Sequence, residues 1–362
     1  MRIAFYCKDD FNLGVAYVIA YLKSKGNEVR LFLEHNENTS VLRQLKFSPD
    51  LVCISCVTAN VEWGINLAKK IRKISKVKIL FGGVHPTLCP ETIEREGFEV
   101  CLGDGISYFG GTFEPDNTWP DREIFLRELP PVHRAYQIFM TGFGCPFKCS
   151  YCNSQNLHRK LIRRSADGCV RELEYLKANG LKYVLFVDDI FTINRSWLID
   201  FLRSYRENIN LPFTCFGHTK FIDKEIATLL RNSSCECVWL GIQSGSEDIR
   251  KNILNRHETN EDISNACKVI KDAKLKLMID HIFDLPGETY ESLLESFRFY
   301  KTLRPDVVNC YELLYLPHAE INKFGHSEAK YEADGGRNYN KYAKSFQALP
   351  LFCNQGNSLS TG

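Results

Sequence analysis

The chain has 362 residues, 44% hydrophobic and 25% charged, with a formal net charge of +2. That is the composition of a folded globular chain of about two domains, and the near-neutral balance argues against a nucleic-acid partner or a membrane surface. No apolar run approaches the roughly 20 residues that span a bilayer, and the opening MRIAFYCKDD has acids where a secretory leader is apolar, so the chain reads as cytoplasmic.

The first 110 residues alternate between two periodicities. RIAFYC (2–7), EVRLFL (28–33), LVCISCV (51–57) and KVKILFGG (76–83) are short apolar runs of strand type. Between the first two lies a helical pattern carried by Leu13, Ala16, Tyr17, Ala20, Tyr21 and Leu22 and closed by Gly26. A second amphipathic segment covers 61–74 and ends in basic residues. Such alternation predicts a doubly wound parallel sheet, Rossmann-like, over residues 1–110. Ligands of these sheets sit beyond the carboxyl ends of the strands. The loops 9–14, 55–60 and 82–87 are therefore candidate ligand contacts, although the paired Gly82 and Gly83 could equally be a tight turn.

Residues 111–135 are rich in Gly, Pro and Asp and break the rhythm, as a linker does. From 136 the alternation resumes. YQIFMTG, KYVLFVDD, LPFTCFGH, CVWLGIQSGS, LKLMIDHIFDLPGE and DVVNCYELLYL are six strand-like runs, and helical patterns follow the first five. Six such units predict a partial (β/α)6 barrel over 136–326, with its chemistry at the strand carboxyl ends. Residues 327–362 read as a polar tail with one amphipathic patch at Tyr342, Ala343 and Phe346.

Fifteen cysteines is a high count, and an odd number without a leader argues against a disulfide framework. Most of them, Cys53, Cys56, Cys215 and Cys310 included, sit in apolar runs and read as buried thiols. Cys145, Cys149 and Cys152 differ. They form a CxxxCxxC run in GFGCPFKCSYC directly after the first strand of the second alternation. Three thiolates in one loop call for a cation. Structural zinc favours four ligands and paired CxxC elements. A four-iron cluster takes four cysteines when it is structural, so three leave one iron open. An open iron suits catalysis, while zinc and unliganded thiols remain the competing readings.

With an aromatic residue before its third cysteine, the run resembles the signature of the radical S-adenosylmethionine (SAM) superfamily. The likeness extends over roughly 135–320. It implies that SAM chelates the open iron of a 4Fe-4S cluster, that one electron cleaves its sulfonium bond, and that a 5′-deoxyadenosyl radical takes hydrogen from a substrate. It implies a reductant such as flavodoxin or ferredoxin. FVDDIFTIN resembles the stretch in which Asp188 or Asp189 binds the SAM ammonium. LGIQSGSED resembles the ribose-contacting stretch, through Gln243 (where Glu is usual), Ser244 and Ser246. IFDLPGET resembles the stretch near the adenine, with Asp284 where Gly is common, and Tyr151 is expected to pack on the adenine. His218 stands where relatives often carry Arg and reads as a satisfied buried imidazole.

LGVAYVIAYLKSKGNEVRLF and FGGVHPTLCPE resemble the N-terminal domain of cobalamin-binding radical SAM enzymes. That likeness implies a corrinoid near Ser55, Gly82, Gly83 and His85. The first βα loop lacks a DxHxxG run, so it offers no lower axial histidine. LGDGISYFGG (102–111) reaches turn residues early, so the last helix of this domain is expected to be short. Together the resemblances imply cobalamin-dependent C-methylation of a small molecule. The alternatives are oxidative cyclisation, ring contraction or rearrangement, and, further off, methylthiolation, for which Cys7, Cys53 and Cys89 would have to hold a second cluster. A zinc-binding structural module is the reading from another class.

Overall fold

Apolar runs flanked by helices on both faces pack as parallel strands, and the computed structural model has two such sheets. It describes residues 1–8, 11–33, 46–157, 161–325 and 339–350. The chain divides into two units, Met1–Ala135 and Tyr136–Gly362.

The first unit contains β1 (Arg2–Cys7), α1 (Leu13–Ser24), β2 (Glu28–Leu33), β3 (Leu51–Ser55), α2 (Val61–Ile74), β4 (Lys78–Gly82) and β5 (Glu99–Val100). The strands are parallel in the order β2-β1-β3-β4-β5, so the direction of winding reverses between β1 and β3. Side chains alternate across the sheet. Ile3, Phe5 and Cys53 face a core shared with Val15, Ala16 and Ile19 of α1. Ala4, Tyr6 and Ile54 face the core that holds Leu67 and Ile71 of α2. All of β3 is buried, which is why it reads as a continuous apolar run. Asn12 caps α1 by accepting from the Val15 N–H, and Gly26, at φ 80°, turns the chain out of it. The helix expected near 102–111 is a single turn, Gly105–Tyr108.

Residues 111–135 do more than connect. Ile124, Phe125 and Leu129 join the α1-facing core, Phe125 packs 4.9 Å from Phe11, and Asp121 pairs with Lys23 at 2.6 Å.

The second unit carries β6 (Tyr136–Phe139), β7 (Gly142–Phe143), β8 (Ile162–Arg163), α3 (Ala166–Ala178), β9 (Tyr183–Phe186), α4 (Arg195–Asn208), β10 (Phe213–Gly217), α5 (Lys224–Asn232), β11 (Cys235–Gln243), α6 (Asn260–Asp272), β12 (Lys276–Phe283), α7 (Tyr290–Leu303), β13 (Val307–Glu312) and α8 (Tyr339–Gln347). Its main sheet is parallel and sequential, β6-β9-β10-β11-β12-β13, a half-barrel of six strands. A two-stranded antiparallel ribbon, β7 with β8, flanks the loop that follows β7. Each of α3 to α7 starts behind a polar cap, respectively Ser165, Asn194, Asp223, Thr259 and Thr289, whose side chain accepts from the N–H three residues on. Val184, Cys215, Val238, Leu240, Leu277 and Ile279 point outward into one apolar core with these helices.

The amphipathic patch expected in the tail is the buried face of α8. Phe346 and Ala343 are buried in the same core, and the Phe346 ring stacks on His281 at 4.6 Å. The rest of the expected tail, 327–338 and 351–362, lies outside the described residues.

Candidate functional site

The carboxyl ends of β6, β9, β10, β11 and β12 meet the loop that carries Cys145, Cys149 and Cys152. Of the fourteen cysteines among the described residues, ten are buried; Cys145, Cys149 and, on β13, Cys310, which was expected to be buried, are half-buried, and Cys152 is exposed. Burial first, then Asp189 and the two companion thiols, push the Cys145 thiol up to about 11. Cys152, although its surface reaches solvent, has protein packed around its sulfur, and this crowding, followed by Cys149 and Asp189, raises its thiol. The three sulfurs thus lie within electrostatic reach of one another, and repulsion among their thiolates favours the protonated forms until a cation is bound.

The loop is tied down on two sides. The Ser150 hydroxyl donates to the Ile253 carbonyl at 2.5 Å, and the Asn255 side chain donates to the Lys148 carbonyl at 2.7 Å. Asn153 donates to the Pro317 carbonyl at 2.7 Å, and the Ile321 N–H reaches the Ser150 carbonyl at 2.8 Å. The Gly144 φ of 90° lets the chain turn into the loop. The Ser154 N–H donates to Cys152 Sγ at 3.4 Å and Arg256 Nη1 to Cys149 Sγ at 3.9 Å, a donor set suited to thiolates.

Among the described residues no three His, Cys, Asp or Glu side chains converge tightly enough for one metal ion, these cysteines included. A cubane of four irons, bridged by its own sulfides, holds its cysteines through different irons and so needs no such convergence. Three solvent-accessible thiols with no fourth protein ligand in the loop fit that group and not a closed zinc site.

The two acids after β9 have separate positions. Asp188 is buried. It accepts from the Thr141 N–H at 3.1 Å, the Thr141 hydroxyl at 2.6 Å and Arg163 Nη1 at 2.8 Å. Burial raises its carboxyl and Arg163 opposes that shift. Its carboxylate therefore anchors the base of the cysteine loop to β8. Asp189 is exposed, accepts from the Ser154 hydroxyl at 2.8 Å, and faces the thiols electrostatically. Of the pair, Asp189 has a carboxylate open to a ligand.

Gln243, Ser244 and Ser246 all lie buried at the end of β11. Gln243 takes φ 71° after a bulge in the β11–β12 register, and its amide folds back over Gly241, where a Cβ would lie 2.5 Å from Nε2. Gly245 crosses α7 so closely that a Cβ would sit 2.4 Å from the Ser296 Cα. The Ser244 carbonyl accepts from Arg250 Nη1 at 2.8 Å. Fully buried Arg250 also donates to the Glu258 carbonyl and, at 2.7 Å, to Asn260 Oδ1, clamping the segment after β11. Sequence reasoning missed Arg250, because an Arg within a polar helical stretch carries no signal of burial.

Tyr151 is half-buried against Ile249, Leu254, Ile282 and Leu285, and its hydroxyl accepts from Arg256 Nη1 at 3.3 Å. Arg256 pairs with Glu258 at 2.5 Å, and Glu258 accepts from His218 Nε2 at 3.2 Å. His218 Nδ1 accepts from the Lys220 N–H, which sets the proton on Nε2. Burial, with Arg256 nearby, holds this imidazole down at about 4, so it is neutral. It stacks on Phe147 of the cysteine loop at 4.3 Å. Asp284 has φ 61°, the left-handed conformation a Gly would adopt there and one that Asp tolerates better than most residues.

At the carboxyl edge of the first sheet, His85 is buried, with Nδ1 3.2 Å from the Thr58 hydroxyl and Nε2 3.0 Å from the Thr92 hydroxyl. Both nitrogens are occupied, so the ring is not available as an axial ligand in this arrangement. Gly83 has φ 99°, and a Cβ there would come within 2.7 Å of the Cys56 carbonyl oxygen and 3.1 Å of the Ser55 hydroxyl. Its freedom is used by the protein itself. Gly82 is open, its nearest such neighbour 3.8 Å away. Val84 and Leu102 follow β4 and β5 as exposed apolar side chains. Small residues beside exposed apolar ones fit the broad face of a corrinoid. Cys7 and Cys53 lie in the α1-facing core and Cys89 is also buried; burial raises the Cys53 and Cys89 thiols. They have the surroundings of packed thiols, not of cluster ligands.

The family model of the radical SAM superfamily matches residues 139–300, and that of the B12 binding domain matches residues 8–110. The first brings a 4Fe-4S cluster and SAM, the second cobalamin. An uncharacterized methyltransferase from Pyrococcus horikoshii is 25% identical over 342 residues, covering 81% of this chain and 74% of that protein. An anaerobic magnesium-protoporphyrin IX monomethyl ester cyclase from Rubrivivax gelatinosus is 23% identical over 350 residues, covering 82% of this chain and 62% of its own. Among solved structures, the radical SAM methyltransferase TsrM from Kitasatospora setae, with cobalamin and a [4Fe-4S] cluster bound, has a TM-score of 0.73 at 16% identity, covering 88% of this chain and 76% of that one. At that identity the likeness speaks to fold. No helix among the described residues is long and apolar enough to cross a membrane.

Proposed function

The chain belongs to the radical SAM superfamily, in the subclass that carries a B12-binding domain, and from that premise we propose that it methylates an unactivated carbon of a small molecule. The observation that carries the reading is the single loop of three accessible thiols at the mouth of a half-barrel, in a chain whose other described cysteines are nearly all buried.

Cys145, Cys149 and Cys152 would hold the cluster. When bound, cluster, SAM and cobalamin supply the electron, the carbon radical and the methyl carrier. Asp189 accepts hydrogen bonds from the ammonium of SAM, while Asp188 keeps Thr141 and Arg163 in place beneath the loop. Gln243, Ser244 and Ser246 shape the strand end that receives the ribose, and Tyr151, braced by Arg256, packs on the adenine. Gly82 would let a corrinoid approach the first sheet's edge, with Ser55, Gly83 and His85 packing the loop beneath it and His85 giving no ligand to the metal. The reductant is a small electron-transfer protein, flavodoxin or ferredoxin, in the cytoplasm. The second reading is oxidative cyclisation, ring contraction or rearrangement. It draws on the ring-forming activity for which the Rubrivivax relative is named.

The test is oxygen-free reconstitution with iron, sulfide and cobalamin, followed by product analysis. Methylation yields S-adenosylhomocysteine together with 5′-deoxyadenosine. Deoxyadenosine alone selects the second reading, and no iron uptake rejects both.

A further inference from the structure

The outward face of the half-barrel is closed by helices, so its inner face is where a substrate can lie. Strand alternation decides which residues line that face. On β11, Val238, Leu240 and Ile242 go outward into the helix core, which leaves Trp239 inward. On β12, Leu277, Ile279 and Phe283 go outward and Asp280 inward. On β13, Val308 goes outward and Asn309 inward, and on β10, Phe213 and Cys215 go outward and Phe216 points the other way from Cys215. The registers place Asp280 directly opposite Gly241 on one side and Asn309 on the other.

Asp280 is the acid of this group. Trp239 Nε1 donates to its Oδ1 at 2.6 Å and Asn309 Nδ2 donates to the same oxygen at 3.1 Å. Among the described residues nothing donates to Oδ2, and no Lys, Arg or His forms an ion pair with this carboxylate. Phe216 stacks on Trp239 with ring centroids 4.5 Å apart. All four side chains are half-buried, so they are neither sealed in the core nor fully in water.

We propose that Asp280, held between Trp239 and Asn309, receives a cationic nitrogen of the substrate on the inner face of the half-barrel. A carboxylate with one oxygen held and the other open offers a charge-assisted hydrogen bond, and Trp239 with Phe216 stacked on it extends an aromatic surface from there along the inner face for the apolar part of the molecule. Two neutral donors on Oδ1 orient the group without neutralising it. Burial raises the Asp280 carboxyl, and Trp239 and Asn309 only partly oppose that shift, so a cation arriving at Oδ2 meets an anion short of solvation. The assignment deepens the reading of the chain as a radical SAM enzyme and rests on it for the identity of the bound molecule as substrate.

The test uses probes of one shape and different charge on the reconstituted protein: 2-phenylethylammonium, 2-phenylethanol and 3-phenylpropanoate, with binding read by saturation-transfer NMR and isothermal titration. The wild type is expected to prefer the ammonium over the alcohol about tenfold and to exclude the carboxylate. Asp280→Asn is expected to bind ammonium and alcohol alike, and Asp280→Glu to keep the preference, with thermal melts verifying that both fold. Equal binding of ammonium and alcohol by the wild type overturns the assignment, as does a preference that survives in Asp280→Asn. SAM cleavage is measured separately on the wild type. Its absence counts against the functional reading, and the charge preference is judged on its own binding constants.

Discussion

The two sheets are built alike and differ at their carboxyl edges. The first edge closes on itself: His85 is held at both nitrogens by hydroxyls, and Gly83 lies against the backbone of Cys56. The second edge leaves chemistry facing outward, with three accessible thiols and Asp189 beside them. Parallel β/α units position loops at one end, but the loops decide whether that end is a surface that a flat ligand can lie on or a set of donors that grips a group. Polar atoms already satisfied within the protein support a site, and unsatisfied ones form it.

The largest effect that could break this contrast is on the metal. Cys149→Ala is expected to abolish iron uptake and SAM cleavage after anaerobic reconstitution, while Cys53→Ala, in the core of the first sheet, retains both, as iron analysis and deoxyadenosine assay will show. Next comes the acid pair. Asp188→Ala strands the largely buried Arg163 guanidinium and should cost about 3 kcal/mol in denaturant unfolding. Asp189→Asn should change stability by less than about 0.5 kcal/mol, yet raise the KM for SAM by about tenfold, the worth of one charge-assisted hydrogen bond. Equal stability losses for the two variants would erase the distinction drawn between them.

At the closed edge, Gly83→Ala places a Cβ 2.7 Å from the Cys56 carbonyl oxygen at a φ of 99°. It should lower the stability of the first unit by about 2 kcal/mol, while iron uptake by the second is unchanged. The remaining effect appears only in acid. Burial holds His281 at about 3 and, with Arg256, His218 at about 4. In unfolded chain both titrate near 6.5. Between those values the unfolded state binds more protons, so stability is fully present above pH 6.5 and falls as the pH drops toward 4. His281→Phe should flatten that decline in denaturant titrations, at the expense of the Tyr300 hydroxyl's hydrogen bond.

Much of this molecule was legible in its residues, because periodicity and caps are local properties. The continuous apolar run of β3, the glycine at 26 that closes α1, and the spacing of Cys145, Cys149 and Cys152 each state their structure within a few positions of chain. Distances across the fold are not local. That Asp188 is spent on Thr141 and Arg163 while Asp189 stays open, that Arg250 clamps the segment after β11, that Phe346 docks α8 on His281, and that Asp280 meets Trp239 and Asn309 across three strands all depend on which strands become neighbours. The sequence by itself determined the two alternating architectures and the thiol loop, through patterns that need only adjacent residues to be physically meaningful. Tertiary structure alone decided which polar groups are satisfied and which remain to bind something, because hydrogen-bond partners are assigned by packing between segments far apart in the chain.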